Sequence, residues 1–183
     1  GPPRAALLFA RGALLALQAR ADEPRPFLEE AATLARAAGD GRLEAYALNY
    51  LAMTYAGEGR AEALDPCRRA EAWFREHGDL YGLRLALLLQ GSAAMGMGML
   101  EESMRLNREG VEVARRFGLD RELSIALQNL AAVHLRAGEH AEAERLVREA
   151  LEASRRDPSH YFIAVGLLFL AEAIGHRGEH LPS

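Results

Sequence analysis

Cys67 is the single thiol of a chain that also holds six histidines. A cysteine nucleophile needs a base, a metal site needs three or four ligands, and a disulfide needs a second thiol. No second cysteine stands near Cys67, so it reads as a small buried residue rather than a nucleophile. His176 and His180 are four apart, a spacing that can present two ligands on one helix face, but Gly178 lies between them. No metal site is expected there, and none elsewhere. Ser92, Ser103, Ser124 and Ser154 have no His/Asp companions at fixed spacing. "GMG" at 96–98 lacks the strand-then-helix setting of a nucleotide fingerprint, and no phosphate-loop motif exists. The chain therefore reads as a non-enzyme without a cofactor.

Charge excludes a further class. Asp and Glu number 26 against 22 basic residues, every one of them arginine, for a net charge of -4. Arg68-Arg69, Arg105, Arg108, Arg115-Arg116 and Arg155-Arg156 are interleaved with Glu71, Glu109, Glu112, Glu149 and Glu152. Mixed signs on one helix face make an ion-paired, solvated surface, whereas phosphate binding wants a net basic stripe. Direct nucleic-acid binding is not expected. No apolar run is long enough to span a bilayer. The opening lacks a signal peptide's basic start and cleavage site. With one cysteine, these point to a reducing, cytoplasmic setting. The leading Gly-Pro reads as a protease scar, and with it comes the expectation of a piece excised from a larger protein.

The elements that must carry any site recur with a period of about 40 residues. Gly12, Ala52, Gly91, Ala131 and Ala171 fall into register. Leu8, Leu48, Leu87, Leu127 and Leu167 precede them by four, and Ala19, Gly59, Gly98, Gly138 and Gly178 follow by seven. Each unit reads as an apolar first helix, a turn glycine and a second helix charged on one side. Gly39, Gly78 and Gly118 suit a left-handed position after the second helix, and Asp40, Asp79, Asp120 and Ser159 can cap the next one. Arg36, Arg75, Arg115 and Arg155 recur in the last turn, where cations complement the helix dipole. Asp65-Pro66 reads as a cap and first-turn proline, predicting a late start for that helix. The fold expected is all-α: a right-handed α-solenoid of antiparallel helix pairs in one domain, 1–183. Its units run about 5–44, 45–83, 84–123, 124–163 and a partial 164–183, with about nine helices.

These positions resemble the tetratricopeptide repeat, and the fourth copy carries the likeness best: Leu127, Leu130, Ala131, His134, Gly138, Ala143, Val147 and Ala150. Three departures stand out. The period exceeds the usual 34 or so, leucine replaces the usual tryptophan, and Ala63, Cys67 and Ala70 are a residue out of phase. His134 sits at the motif's aromatic core position and reads as a packed, hydrogen-bonded side chain. Long, Arg/Ala/Leu-rich repeats with Gly-Asp punctuation also resemble the sensor arrays of MalT-type and other LuxR-type large ATP-binding transcriptional regulators of bacteria.

The resemblance implies a concave groove lined by a second stripe of the first helices. Here that stripe includes Phe9, Tyr46, Asn49, Met53, Leu85, Leu88, Ser92, Met95, Ile125 and Gln128. It is apolar, with methionines for adaptable contact and amides for orientation. It lacks a cation, so a carboxylate clamp is not expected. The function implied is recognition of a peptide, protein segment or small effector. Two alternatives stand beside it: that the first helices crowd together and the stripe residues bury each other as core, and that the chain is a structural array whose apolar stripe mediates self-association, as a homodimer through the groove or an uncapped C-terminal helix.

Overall fold

The computed structural model describes residues 2–18, 23–56, 60–118, 120–155, 166–171 and 173–175. All regular structure among them is helical: α1 (Pro2–Leu17), α2 (Arg25–Ala37), α3 (Gly41–Ala56), α4 (Leu64–His77), α5 (Leu80–Gly96), α6 (Leu100–Phe117), α7 (Asp120–Arg136) and α8 (His140–Ser154), with a 3₁₀ turn at Ala61–Ala63 before α4. Residues 166–171 and 173–175 are helical too. Two compact units divide the chain, 1–99 and 100–183.

In the first unit each helix packs on the next, and the first helices α1, α3 and α5 also lie side by side. In the second, α7 packs on both α6 and α8. Short connections leave little choice but antiparallel neighbours. The middle copies of the repeated positions carry the core: Leu48, Leu87, Leu127, Ala52 and Ala131 are buried, as is Gly91, whereas Leu167 and Ala171 of the fifth copy are exposed. A Cβ on Gly12 would fall 2.7 Å from Leu28 Cγ, so that small residue lets α2 close on α1.

The joints are closed by the backbone. Asp40, Asp79, Met99 and Glu139 each donate their N–H back to Ala35, Phe74, Ala94 and His134. Gly39, Gly78, Gly98 and Gly138 hold the left-handed conformation that this closure needs. Asp40 Oδ1 accepts from the Leu43 N–H at 3.0 Å and Asp79 Oδ1 from the Gly82 N–H at 3.0 Å, as their spacing predicted. Asp65 does not cap. It lies inside the first turn of α4, whose N-cap is Ala63. The 3₁₀ turn supplies the start instead, and Pro66 fits there because first-turn residues owe no N–H to the helix. First helices begin at Gly41, Leu80 and Asp120, about a turn ahead of the expected unit boundaries. Arg155 stands just past the last turn of α8, as its C-cap. Ser159, His176 and His180 lie outside the described residues.

The Met-rich run 95–99 offers a test of the turn. Gly96 is the last residue of α5, and Gly98 has φ 77°. Gly98→Ala should cost about 1–2 kcal/mol through left-handed strain. Gly96→Ala should be neutral or stabilising by up to about 1 kcal/mol. Urea midpoints of the two variants read this directly, and equal stabilisation by both would contradict the joint.

Candidate functional site

A recess of the first unit opens between α1 and α3, with a volume of about 460 Å³ and a lining of Ala6, Phe9, Asp40, Arg42, Leu43, Tyr46 and Tyr50. Its shape follows from the helix period: Arg42, Tyr46 and Tyr50 are four apart and share one face of α3, and Ala6 and Phe9 oppose them from α1. Phe9 meets Tyr50 edge-on, with ring centroids 5.5 Å apart.

Tyr46 is held from behind. Its ring packs edge-on against Phe74 at 5.0 Å. Its hydroxyl donates to Asp79 Oδ2 at 3.0 Å. Gly82 makes this arrangement possible, since a Cβ there would lie 2.3 Å from the Phe74 ring. Burial, then the hydrogen bond and charge of Asp79, push the Tyr46 pKa up to about 12. Tyr50 is also raised, first by burial and then by Tyr81.

Both acids near the rim are committed to their own chain. Asp40 caps α3, and Asp79 caps α5 while accepting from Tyr46. Arg42 is mostly exposed, its Nε 3.8 Å from Asp79 Oδ2. The recess thus offers aromatic and aliphatic walls with one exposed cation at its mouth.

Tyr46 supplies a pH test. Its raised pKa means the folded state favours the neutral phenol. That contribution is complete below about pH 10, the pKa of an unfolded tyrosine, and is lost as the pH rises through about 12. Asp79→Asn should lower the Tyr46 pKa but leave it above the ordinary value, because burial is the larger cause. Tyrosinate absorbance checks this against Tyr46→Phe, and an unmoved titration would mean that Asp79 does not touch the phenol.

The expected stripe divides. Phe9 and Tyr46 line the recess. Met53 and Leu88, partly buried, pack on the core cluster that contains Leu85, Ala52 and Cys67. Ser92, Met95 and Ile125 are half-buried. Asn49, Leu85 and Gln128, expected in an accessible groove, are buried instead. Asn49 Nδ2 donates to the Gly82 carbonyl at 3.3 Å across to α5, with Oδ1 unpartnered. Gln128 Nε2 donates to Ser124 Oγ at 3.0 Å, and Ser124 shares a 2.6 Å hydrogen bond with Ser154. Asn49 thus ties α3 to α5, whereas Gln128 bonds within α7 and Ser124 makes the tie to α8. Leu43, Tyr50 and Arg42 were missed. The expected stripe runs one position aside of Tyr50 and ends a turn short of Arg42, and the i, i+4 run Arg42–Tyr46–Tyr50 is the signal in the sequence that marks this face. Arg42 also corrects the expectation of a site without a cation.

The remaining candidates are structural. Cys67 is buried, and burial, with Glu71 nearby, pushes its thiol up to about 12. It is no thiolate nucleophile near neutral pH. His134 is buried, with Nδ1 2.5 Å from Glu139 Oε2. Among the described residues no group of three or more His, Cys, Asp or Glu could hold a metal ion, and no helix is long and apolar enough to cross a membrane. In the second unit a recess of about 320 Å³ is walled by both charge signs, Arg108, Arg115 and Arg145 beside Glu109, Glu112 and Glu142. Arg115 binds Glu112 and Glu149, and Arg145 binds Glu142. This is the ion-paired surface the charge pattern predicted, worth little stability per pair.

Residues 83–156 match the tetratricopeptide repeat family. No curated protein matches the chain. Among solved structures, the nearly identical TPR-like repeats of a Podosopora anserina protein named as a kinesin light chain superpose with a TM-score of 0.77 at 15% identity. They cover 98% of this chain and 90% of theirs. A glutamine-to-methionine variant of the same repeats gives 0.77 and 15%, with 98% and 89% covered. At that identity the likeness is one of fold. The chain has the all-helical architecture of TPR-like repeats, a fold that serves protein–protein interaction.

Proposed function

We propose that the chain is a non-enzymatic recognition module and that the α1–α3 recess takes an apolar side chain of a peptide or protein segment, or a small effector of the same character. The observation that carries this reading is the recess itself. Phe9, Leu43, Tyr46 and Tyr50 present apolar surface there, while both nearby carboxylates are occupied by their own chain. An apolar pocket with few oriented polar groups is the usual form of a binding site, and TPR-like repeats are interaction scaffolds.

A random-peptide phage library panned on the full chain tests it. Enriched peptides should share an aromatic or aliphatic anchor, and Leu43→Glu should abolish their binding with the helical circular dichroism unchanged. Enrichment that is indifferent to Leu43→Glu would sink the assignment to this recess.

The finer reading places the module in the sensor region of a bacterial, cytoplasmic transcriptional regulator. Its support is the long period of about 40 residues and the Gly-Asp punctuation. A host carrying the Leu43→Glu allele should then show altered transcript levels, and an unchanged transcriptome sets the regulator role aside.

A further inference from the structure

The α1–α3 recess is open where the matching residues between α3 and α5 are packed together. In the repeat, Phe9 and Leu43 correspond to Asn49 and Gly82, and Tyr46 and Tyr50 to Leu85 and Leu89. Asn49 donates to the Gly82 carbonyl at 3.3 Å, and Leu85 and Leu89 are buried. A glycine and a short amide let two helices close. Phenylalanine and leucine hold them apart, because interaxial distance follows the side chains at the contact. The opening is thus set by Phe9 and Leu43 themselves, and it ends at the next helix pair. Its volume of about 460 Å³ suits one small ligand.

Two opposite charges stand at its mouth. Capping engages one oxygen of Asp40, Oδ1, which accepts the Leu43 N–H at 3.0 Å. The residue is exposed, and a carboxylate has acceptor sites on its second oxygen too. Arg42 is 70% exposed, and its pair with Asp79 is long, Nε to Oδ2 3.8 Å. A guanidinium has several N–H donors, so one long pair leaves donors for a ligand. An anion in the recess meets Arg42 but faces Asp40. A cation meets Asp40 but faces Arg42. An uncharged ligand leaves both to water. Only a ligand with both signs beside an apolar body matches the whole lining.

We propose that the recess takes a free α-amino acid with a large apolar side chain, its ammonium on Asp40, its carboxylate on Arg42 and its side chain among Phe9, Leu43, Tyr46 and Tyr50. This rests on the reading of the recess as a binding site and narrows that reading to a small effector. Burial of the side chain supplies the affinity. The two charge-assisted contacts select the zwitterion. A residue inside a peptide carries neither backbone charge, so a protein segment engages the apolar walls alone.

Titration calorimetry of the full chain with L-leucine, L-methionine, L-phenylalanine and L-tryptophan tests this. At least one should bind, and its N-acetyl and amide derivatives, each lacking one charge, should bind about tenfold more weakly. The losses should be specific to each residue. In Arg42→Gln the amide should bind as well as the amino acid. In Asp40→Asn, where asparagine still caps α3, the N-acetyl derivative should do so. Helical circular dichroism should be unchanged in both. A preference for the amino acid that survives both substitutions overturns the proposal. So does an N-acetyl amide that binds as tightly as the amino acid, which leaves a recess that takes apolar groups without regard to charge. Failure of all these amino acids to bind overturns it too. Peptides captured through Leu43 would then leave the recess a peptide site, and no capture of either kind would end both readings.

Discussion

Phe74→Ala is expected to cost about 3–5 kcal/mol, the usual price of emptying a buried aromatic site. Phe74 is among the largest fully buried side chains. It touches Tyr46 and Trp73 edge-on, and its ring fills the space that Gly82 leaves open. The surroundings cannot collapse easily, because Tyr46 is tethered to Asp79 and Asn49 to the Gly82 carbonyl. Equilibrium urea unfolding measures the loss. The same substitution removes the back wall of Tyr46, so any peptide bound in the recess should weaken even where the chain is still folded. A loss below about 1 kcal/mol would show that Phe74 is not the keystone of the first unit.

Leu127→Glu should be the most damaging single change in the second unit. Leu127 is fully buried in the cluster that contains Val111, Ala114, Leu130, Leu146 and Val147. Those neighbours are apolar, so an ionised carboxylate there would lose its hydration and gain no partner. An uncompensated buried charge costs roughly 3–5 kcal/mol, a large part of the 5–15 kcal/mol or so that holds a domain folded. Circular dichroism and urea unfolding should show a strongly destabilised or unfolded chain at 25 °C or so. Leu43→Glu, at the mouth of the recess, is the matched control and should stay folded. If both variants unfold alike, the recess is core; if both stay folded, the repeat register is misread.

The repeat was legible because it rests on positions with one physical demand each. A joint that turns left-handed needs glycine, so Gly39, Gly78, Gly98 and Gly138 stand out. A close helix contact needs a small residue, so Ala52 and Ala131 do too. The recess was less legible because facing direction, not residue type, decides it. Asn49 and Gln128 have the chemistry of orienting amides in a groove, yet each directly follows a core leucine, Leu48 or Leu127, and is buried with it. Tyr50 sits one position from the expected stripe, and a helix period of 3.6 residues per turn makes that single step the difference between wall and floor. Arg42 lies ahead of the boundary at 45 that the repeat period predicts, since α3 starts a turn earlier, at Gly41.

Asp79 has two duties, divided between its two oxygens. One oxygen fixes the Gly82 amide at the start of α5, and the carboxylate also receives the phenol that walls the recess. An occupant that draws the Tyr46 hydroxyl to itself leaves the whole carboxylate to the helix end, and one that draws off Asp79 through Arg42 frays it. If the recess is filled as proposed, amide hydrogen exchange at Gly82 should change with its occupancy, because Tyr46 and the Gly82 amide share the Asp79 carboxylate.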